Sequence, residues 1–441
     1  MRIYSIGKFG SLEICILSFW LQKQWKTKII AFMKLWLKYL IGIGAGLVLA
    51  ILIPPSSMQS RAVLDFIVEF VIRFGRYTVV PVLFFSVAVA GFKLRDEKLL
   101  FRTFRWTILV ILASTFALML LGLVSALIIK LPRIPITTEK VGEISPFTWK
   151  TLITKIFPYS GFEAMVDGIY LFPCFVFAFL VGAGSASDKN ASKTAIGLFD
   201  SLSKVFYIVM TFFTEILAVG MIALMFRWTI EFLATLRTGV YNGLVVMLFV
   251  ELLVIAFVIY PLVLRLLCHE MHPYRILYAS ICPFLVAFFS GDTNLALGLH
   301  LRHGKESLGI RRRVNAFTYP LFSIFGRGGA ALVQTISFIL ILRSYSSLGI
   351  PVSDMFWIGG ISFVLSFSLA GFPSGGPFIA VTAMCLLYGR NFESGYLLLK
   401  NAAPLICAMA SGIDALTAMF GSYIVAVKTK TVQHQELRKF I

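Results

Sequence analysis

Arg327 stands in the middle of an apolar run, residues 314–342, inside Phe325-Gly326-Arg327-Gly328-Gly329-Ala330. A guanidinium offers five donors in a planar fork that suits carboxylates. Placing one near the centre of a bilayer costs ~3 kcal/mol on insertion scales. Gly326, Gly328 and Gly329 each weaken a helix by roughly 1 kcal/mol against alanine. A broken, charged segment of this kind persists only where its backbone and charge face protein or a water-filled cavity. Arg327 is therefore a candidate functional residue, and the chemistry it suits is anion binding. The chain offers little else that is reactive. Cys268-His269-Glu270-Met271-His272 lacks the His-Glu-x-x-His spacing that puts both imidazoles on one helix face, and it reads as a juxtamembrane loop before Pro273. No nucleophile, histidine and acid share a depth, so we expect no catalytic residues, no metal site and no organic cofactor.

The elements that must hold such a residue follow from composition. The 441 residues are 59% hydrophobic and 14% charged, too apolar for a soluble chain of this size, so the fold class is an all-α polytopic membrane protein. Lys and Arg outnumber Asp and Glu 40 to 21. The basic residues lie beside apolar spans, which points to cytoplasmic loops and anionic membrane lipids and away from nucleic acid. The six cysteines lie in or beside apolar runs without paired spacing, as free thiols do. Eight long apolar segments are expected to span: 36–54, 63–92, 106–130, 166–184, 197–228, 236–267, 314–342 and 394–427.

Two more stretches are apolar but interrupted. The first, 274–302, carries Pro283 and then Ser290-Gly291-Asp292-Thr293-Asn294; the second, 353–390, carries Gly371-Phe372-Pro373-Ser374-Gly375-Gly376-Pro377. Each reads as a re-entrant hairpin with a polar or Gly/Ser tip, since those glycines and prolines would break a lipid-facing helix. Two interrupted segments in corresponding positions point to a transporter binding site. The basic clusters Lys23 to Lys34, Lys93 to Lys98, Arg302 to Arg313 and Lys428 to Arg438 all fall on one side when eight spans are drawn. That side, with both termini, is expected to be cytoplasmic. Residues 1–32 read as an N-terminal extension, upstream of a natural start near Met33 or lying at the interface, without a signal-peptide cleavage motif. Residues 431–441 read as a cytoplasmic tail.

The C-terminal half resembles the dicarboxylate/amino acid:cation symporter family, the glutamate and aspartate transporter group. Phe289 to Glu306, ending Arg302-His303-Gly304-Lys305-Glu306, resembles the first hairpin and its exit. Phe317-Thr318-Tyr319-Pro320-Leu321 precedes the broken helix as Phe-Thr-Leu-Pro-Leu does in the family. Gly371 to Gly376 resembles the second hairpin tip, Gly412-Ile413-Asp414-Ala415 matches the last helix, and Phe162-Glu163-Ala164-Met165 resembles the start of the fourth. The likeness covers roughly 33–430. It implies a homotrimer with a scaffold, about 33–92 and 150–232, and a mobile transport unit, about 103–130 and 234–430, with hairpins at 274–306 and 353–390. It implies elevator-type movement and a substrate held between the hairpin tips, the broken helix and the last helix. On this basis the substrate-site candidates are Arg327, Asp292, Thr293, Asn294, Phe372, Pro373, Ser374, Gly375, Gly376 and Ser422. Asp292, Asp414 and Thr429 are candidates for ion or proton coupling.

The chain departs from the family where the family binds its ligands. The seventh-helix motif Asn-Met-Asp-Gly-Thr is here Gly326-Arg327-Gly328-Gly329-Ala330. In the last helix the amine-binding Asp corresponds to Ala418, the carboxylate-binding Arg to Gly421 and a sodium-ligand Asp to Thr429. Three carboxylates and one arginine are gone, and Arg327 supplies one positive charge. A fixed guanidinium would oppose a neighbouring cation, which leaves sodium little role and a proton conceivable. Three readings of Arg327 remain open: it binds a substrate carboxylate, it replaces a cation and ties the broken helix to the tips with Asp292 as its natural partner, or it is only a structural counter-ion. The expected function is secondary transport of a small anionic organic substrate, carboxylate or amino acid, with altered or lost sodium coupling. The alternative is a passive anion-conducting or transport-degenerate member of the family.

Overall fold

The computed structural model describes residues 33–53, 58–135, 158–166, 168, 170–346, 349–369, 375–390, 392–433, 435–436 and 440–441. The N-terminal extension 1–32 and the second tip, including Phe372, Pro373 and Ser374, lie outside the described residues. Helices follow one another in the order α1 (Leu35–Leu52), α2 (Met58–Arg76), α3 (Val79–Asp96), α4 (Leu100–Ile128), α5 (Leu171–Ser185) and α6 (Lys189–Arg237). Then come α7 (Asn242–Cys268), with a π-helical turn at Ile255–Ile259, α8 (Tyr274–Ser290), α9 (Leu297–Glu306), α10 (Arg312–Phe325) and α11 (Gly328–Tyr345). The series ends with α12 (Val352–Ser368), α13 (Gly376–Tyr388) and α14 (Ala403–Lys428).

Among the described residues seven helical stretches are long and apolar enough to cross a membrane, and the chain is a multi-pass, all-helical membrane protein. The expected span 63–92 is two helices, α2 and α3, with the break at Tyr77-Thr78. Pro81 explains it, because a proline ring clashes with the carbonyl four residues back. Segment 166–184 yields only the 15-residue α5, whose first turn holds Pro173, a residue suited to a helix start and not to a helix interior. Segment 197–228 grows to a 49-residue helix. Its polar first turns, outside the apolar run, are secured by Asp188, whose carboxylate accepts from the amides of Asn190 (3.1 Å) and Ala191 (3.0 Å).

The helices differ in what they face. Within its most apolar window α1 is 28% buried, whereas the stretch Arg312–Tyr345 is 94% buried and Gly395–Lys428 is 89% buried. Helices α10, α11 and α14 therefore form a protein-enclosed centre, and α1, α4, α6 and α7 present Ile41, Val48, Phe116, Val219 and Val250 outward. A buried cation is tolerated better in the first group than in the second. Two helical pairs pack on this centre. Helices α8 and α9 turn through Gly291, whose φ of +65° suits a residue without a side chain. Helices α12 and α13 make the second pair, with Gly375 (φ +70°) before α13. The loop after α9 is closed by the segment after α14. Ile310 and Val432 form an antiparallel bridge, the Gln433 amide donates to the Gly309 carbonyl at 2.9 Å, and the Arg311 amide donates to Thr431 at 3.1 Å. Only glycine fits at 309, since a Cβ there would lie 1.9 Å from the Gln433 carbonyl oxygen.

Candidate functional site

The break between α10 and α11 occupies Gly326 and Arg327. Gly326 leaves helical geometry (φ −76°, ψ 60°), and Arg327 (φ −100°, ψ 38°) opens the next helix. The first amides of α11 lack partners within their own helix. Asp414 on α14 supplies one: its Oδ1 accepts from the Gly329 amide at 2.7 Å and the Ala330 amide at 3.3 Å. A carboxylate here also meets the positive end of the helix dipole. The approach requires glycine, because a Cβ on Gly329 would lie 2.6 Å from both the Ala410 carbonyl oxygen and Ile413 Cβ.

Arg327 is only 5% exposed. Its Nη1 donates to Thr293 Oγ1 at the α8–α9 tip, its Nε donates to the Ile324 carbonyl at 3.4 Å, and Nη1 stands 3.8 Å from Asp414 Oδ2. One guanidinium thus joins the first tip, the end of α10 and the last helix. The partner differs from the expected one, for no ion pair joins Arg327 to Asp292. Asp292 is taken from the other side: Arg76 at the end of α2 reaches its Oδ2 at 3.0 Å, while its Oδ1 accepts from the Asn294 amide at 2.9 Å. Adjacent at the tip, Asp292 and Thr293 thus serve different neighbours. Ser323 of α10 donates to Asn294 Oδ1 at 2.9 Å and closes the tip against the broken helix.

The other candidates scatter. Gly375 and Gly376 stand at the start of α13. Ser422 is fully buried and its hydroxyl has no partner among the described residues. Thr429 caps the end of α14, bonding Val425, Ala426 and Thr431; fifteen residues beyond Asp414, it lies about 22 Å along the helix. Positions 418 and 421 are closed. Ala418 is 2% exposed, and the ring of Phe322 covers Gly421 so closely that a Cβ there would be 2.4 Å from it. Sequence reasoning misses Arg76. Its signal is an arginine in an apolar run, but nothing in the sequence ties it to its partner across the fold.

A second set of charges joins the α8–α9 pair to neighbouring helices. Arg302 donates to Glu215 of α6 at 2.8 Å and to Thr214 at 3.1 Å, and Lys38 of α1 meets the other oxygen of Glu215 at 2.5 Å. Tyr207 donates to Glu306 at 2.5 Å. The chemistry available at the break is therefore electrostatic: a fixed cation, a carboxylate on a helix terminus, and hydroxyl and amide groups around them.

A family model described as the sodium:dicarboxylate symporter family matches residues 35–429. The chain belongs to that family. The proton/glutamate-aspartate symporter of Bacillus subtilis (strain 168) is 25% identical over 361 residues, covering 79% of this chain and 83% of the relative. As a family member the chain is a transporter and not an enzyme. The ring of Phe322 packs over Gly421, the position that the resemblance matches to an arginine.

Proposed function

We propose that the chain is a secondary active transporter, a symporter of small carboxylates or amino acids, working by elevator-type alternating access. The observation that carries this reading is the buried guanidinium of Arg327 at a helix break, between a helix-pair tip and the last helix. Anion recognition and helix-break chemistry coincide there. In this reading eight spans and two re-entrant hairpins, α8–α9 and α12–α13, form a scaffold and a transport unit with the limits expected from sequence. Three copies assemble in the cell membrane with both termini cytoplasmic. The apolar groove between α1, α2 and α6, lined by Leu49, Ile67, Phe70, Phe74 and Phe226, supports contact with acyl chains. The relative's substrates, glutamate and aspartate, belong to the same chemical class. With Ala418 where the resemblance puts an amine-binding carboxylate, a simple mono- or dicarboxylate is the better substrate.

Sodium fits this site poorly. Asp414 Oδ1 is spent on two amides and its Oδ2 faces Arg327, so a hard cation would find few free oxygens beside a fixed positive charge. Arg327 does a cation's work by tying three elements together, and it meets substrate by exchanging Thr293 for a carboxylate. Uptake of radiolabelled carboxylates and amino acids into proteoliposomes tests the reading, with sodium and pH gradients varied. Saturable, sodium-independent uptake is expected, lost in Arg327→Ala and weakened in Arg327→Lys, which cannot make a bidentate fork. Absence of saturable uptake under every gradient, or full activity in Arg327→Ala, would refute it.

The second reading, a passive anion pathway or a transport-degenerate protein, draws on the closed position at Gly421 and on the internal partners Arg327 already has. A steady anion current without substrate, abolished in Arg327→Ala, would favour it.

A further inference from the structure

Helix α7 carries one carboxylate, Glu251, between Asn242 and Cys268. It lies nine residues into the helix, about 14 Å from the start, with Val250, Leu252 and Leu253 around it. The residue is 6% exposed. Ser125 on α4 donates to its Oε1, while its Oε2 is buried without a hydrogen-bond partner among the described residues. Among the same residues it joins no ion pair.

The ionisable groups on the neighbouring elements are otherwise engaged or remote. On α14 these are Cys407, Asp414, which is committed to α11, Tyr423, which donates to Glu270, and Lys428, which bonds the Leu267 carbonyl. On α4, Arg102 and Arg105 sit in the first turns, some twenty residues from Ser125, and Lys130 and Arg133 follow its end. Arg343 of α11 donates to the carbonyls of Leu127 and Ile129. On α6, Glu231 pairs with Arg227, and Arg237 ends the helix. Lys400 lies on the turn before α14, and Tyr241 and Tyr260 on the α7 segment donate to the Leu398 carbonyl and bond Thr417. A carboxylate at Glu251 would have one hydrogen bond and no counter-charge in an apolar span. A carboxylic acid needs no counter-charge.

We propose that Glu251, with Ser125 as its hydrogen-bond partner, is the proton-carrying site of this transporter. Proton and substrate then ride on the same moving unit, since both α4 and α7 fall within the proposed transport part. A proton from water on the open side adds to a carboxylate oxygen to give the acid, and the hydroxyl of Ser125 stays bonded to the other oxygen. On the far side the O–H bond breaks, water takes the proton, and the carboxylate remains. One proton per cycle offsets one negative charge of an anionic substrate. The inference rests on the transport reading above and deepens it by naming the coupling group.

Two measurements test it on the full-length protein. In proteoliposomes with a one-unit pH gradient, inside alkaline, wild type should accumulate a monocarboxylate about tenfold, the ratio that one proton per cycle allows. Glu251→Gln should keep substrate exchange at zero gradient and lose the gradient response; Ser125→Ala should shift the pH profile. A Glu251→Gln protein that still accumulates substrate as wild type does overturns the proposal. The second measurement is independent of transport. The infrared difference between wild type and Glu251→Gln at neutral pH should show a protonated carboxyl band lost in the variant. Its absence overturns the proposal whether or not uptake is seen. If the band is present but wild type takes up nothing, the transport reading fails, and with it the coupling role.

Discussion

The two helical pairs that pack on the buried centre are held in different ways. The α8–α9 pair is fixed by charge to helices outside the centre: Asp292 to Arg76 of α2, and Arg302 to Glu215 of α6, which also holds Lys38 of α1. The α12–α13 pair is fixed by neutral hydrogen bonds to α11. Gln334 donates to the Ser362 carbonyl at 2.5 Å, and Thr335 donates to Ser362 Oγ at 2.7 Å. Its one ion pair among the described residues, Arg390 with Asp354, stays within its own pair. Among the same residues no ion pair links α12 or α13 to α1, α2 or α6. Charge pairs between helices resist separation where one partner is buried, because an unpaired buried charge is costly. Neutral bonds within one unit can travel with it. Under the proposed elevator reading, the ion pairs from α8–α9 to α1, α2 and α6 would have to open before movement, whereas the bonds from α12 to α11 would be kept.

Breaking the node common to the first pair and the core should have the largest effect. Asp414→Ala leaves Arg327 without its counter-charge and two α11 amides without an acceptor. We expect a loss of ~3–5 kcal/mol, seen as a fall in the thermal midpoint of the detergent-purified protein. Asp292→Ala should cost about 3 kcal/mol by stranding Arg76, and should leave Ser362-dependent contacts intact by hydrogen exchange. Glu215→Ala, at a partly exposed pair, should cost about 1–2 kcal/mol, and Arg302→Ala should add less to it in a double-mutant cycle than it costs alone, the remainder being its bond to Thr214. Equal, independent effects would show that the two do not act together. Ser362→Ala should cost roughly 1 kcal/mol, with a change no larger at high salt. If it loosened α9 as much as Glu215→Ala does, the contrast between the pairs would fail.

Much of this arrangement is legible in the sequence because its causes are local. Gly326, Gly328 and Gly329 break the helix around Arg327, and Gly291 and Gly375 mark the turns of the pairs. Other features escape a reading based on length. Residues 63–92 read as one span by length, although Asp65, Glu69, Arg73 and Arg76 stand in its first half, and the steric demand of Pro81 divides α2 from α3. Polar residues 189–196 look like loop, yet Asp188 caps them into a helix. Pairings are the least legible. Whether Asp292 meets Arg327 or Arg76 depends on which way one residue of a tight turn points. The packing of Phe322 on Gly421 depends on two helices nearly a hundred residues apart. A lone glutamate in an apolar span, by contrast, is visible in sequence, and only its neighbours show that it lacks a counter-charge.

The bridge between Ile310 and Val432 bears on how the protein is made. The loop after α9 emerges from the ribosome roughly 120 residues before the segment that closes it, a delay of about 10 s at ordinary synthesis rates. During that interval the Gly309 carbonyl and the Arg311 amide have no partner from that segment. Until translation has passed α14, water has to satisfy those two groups.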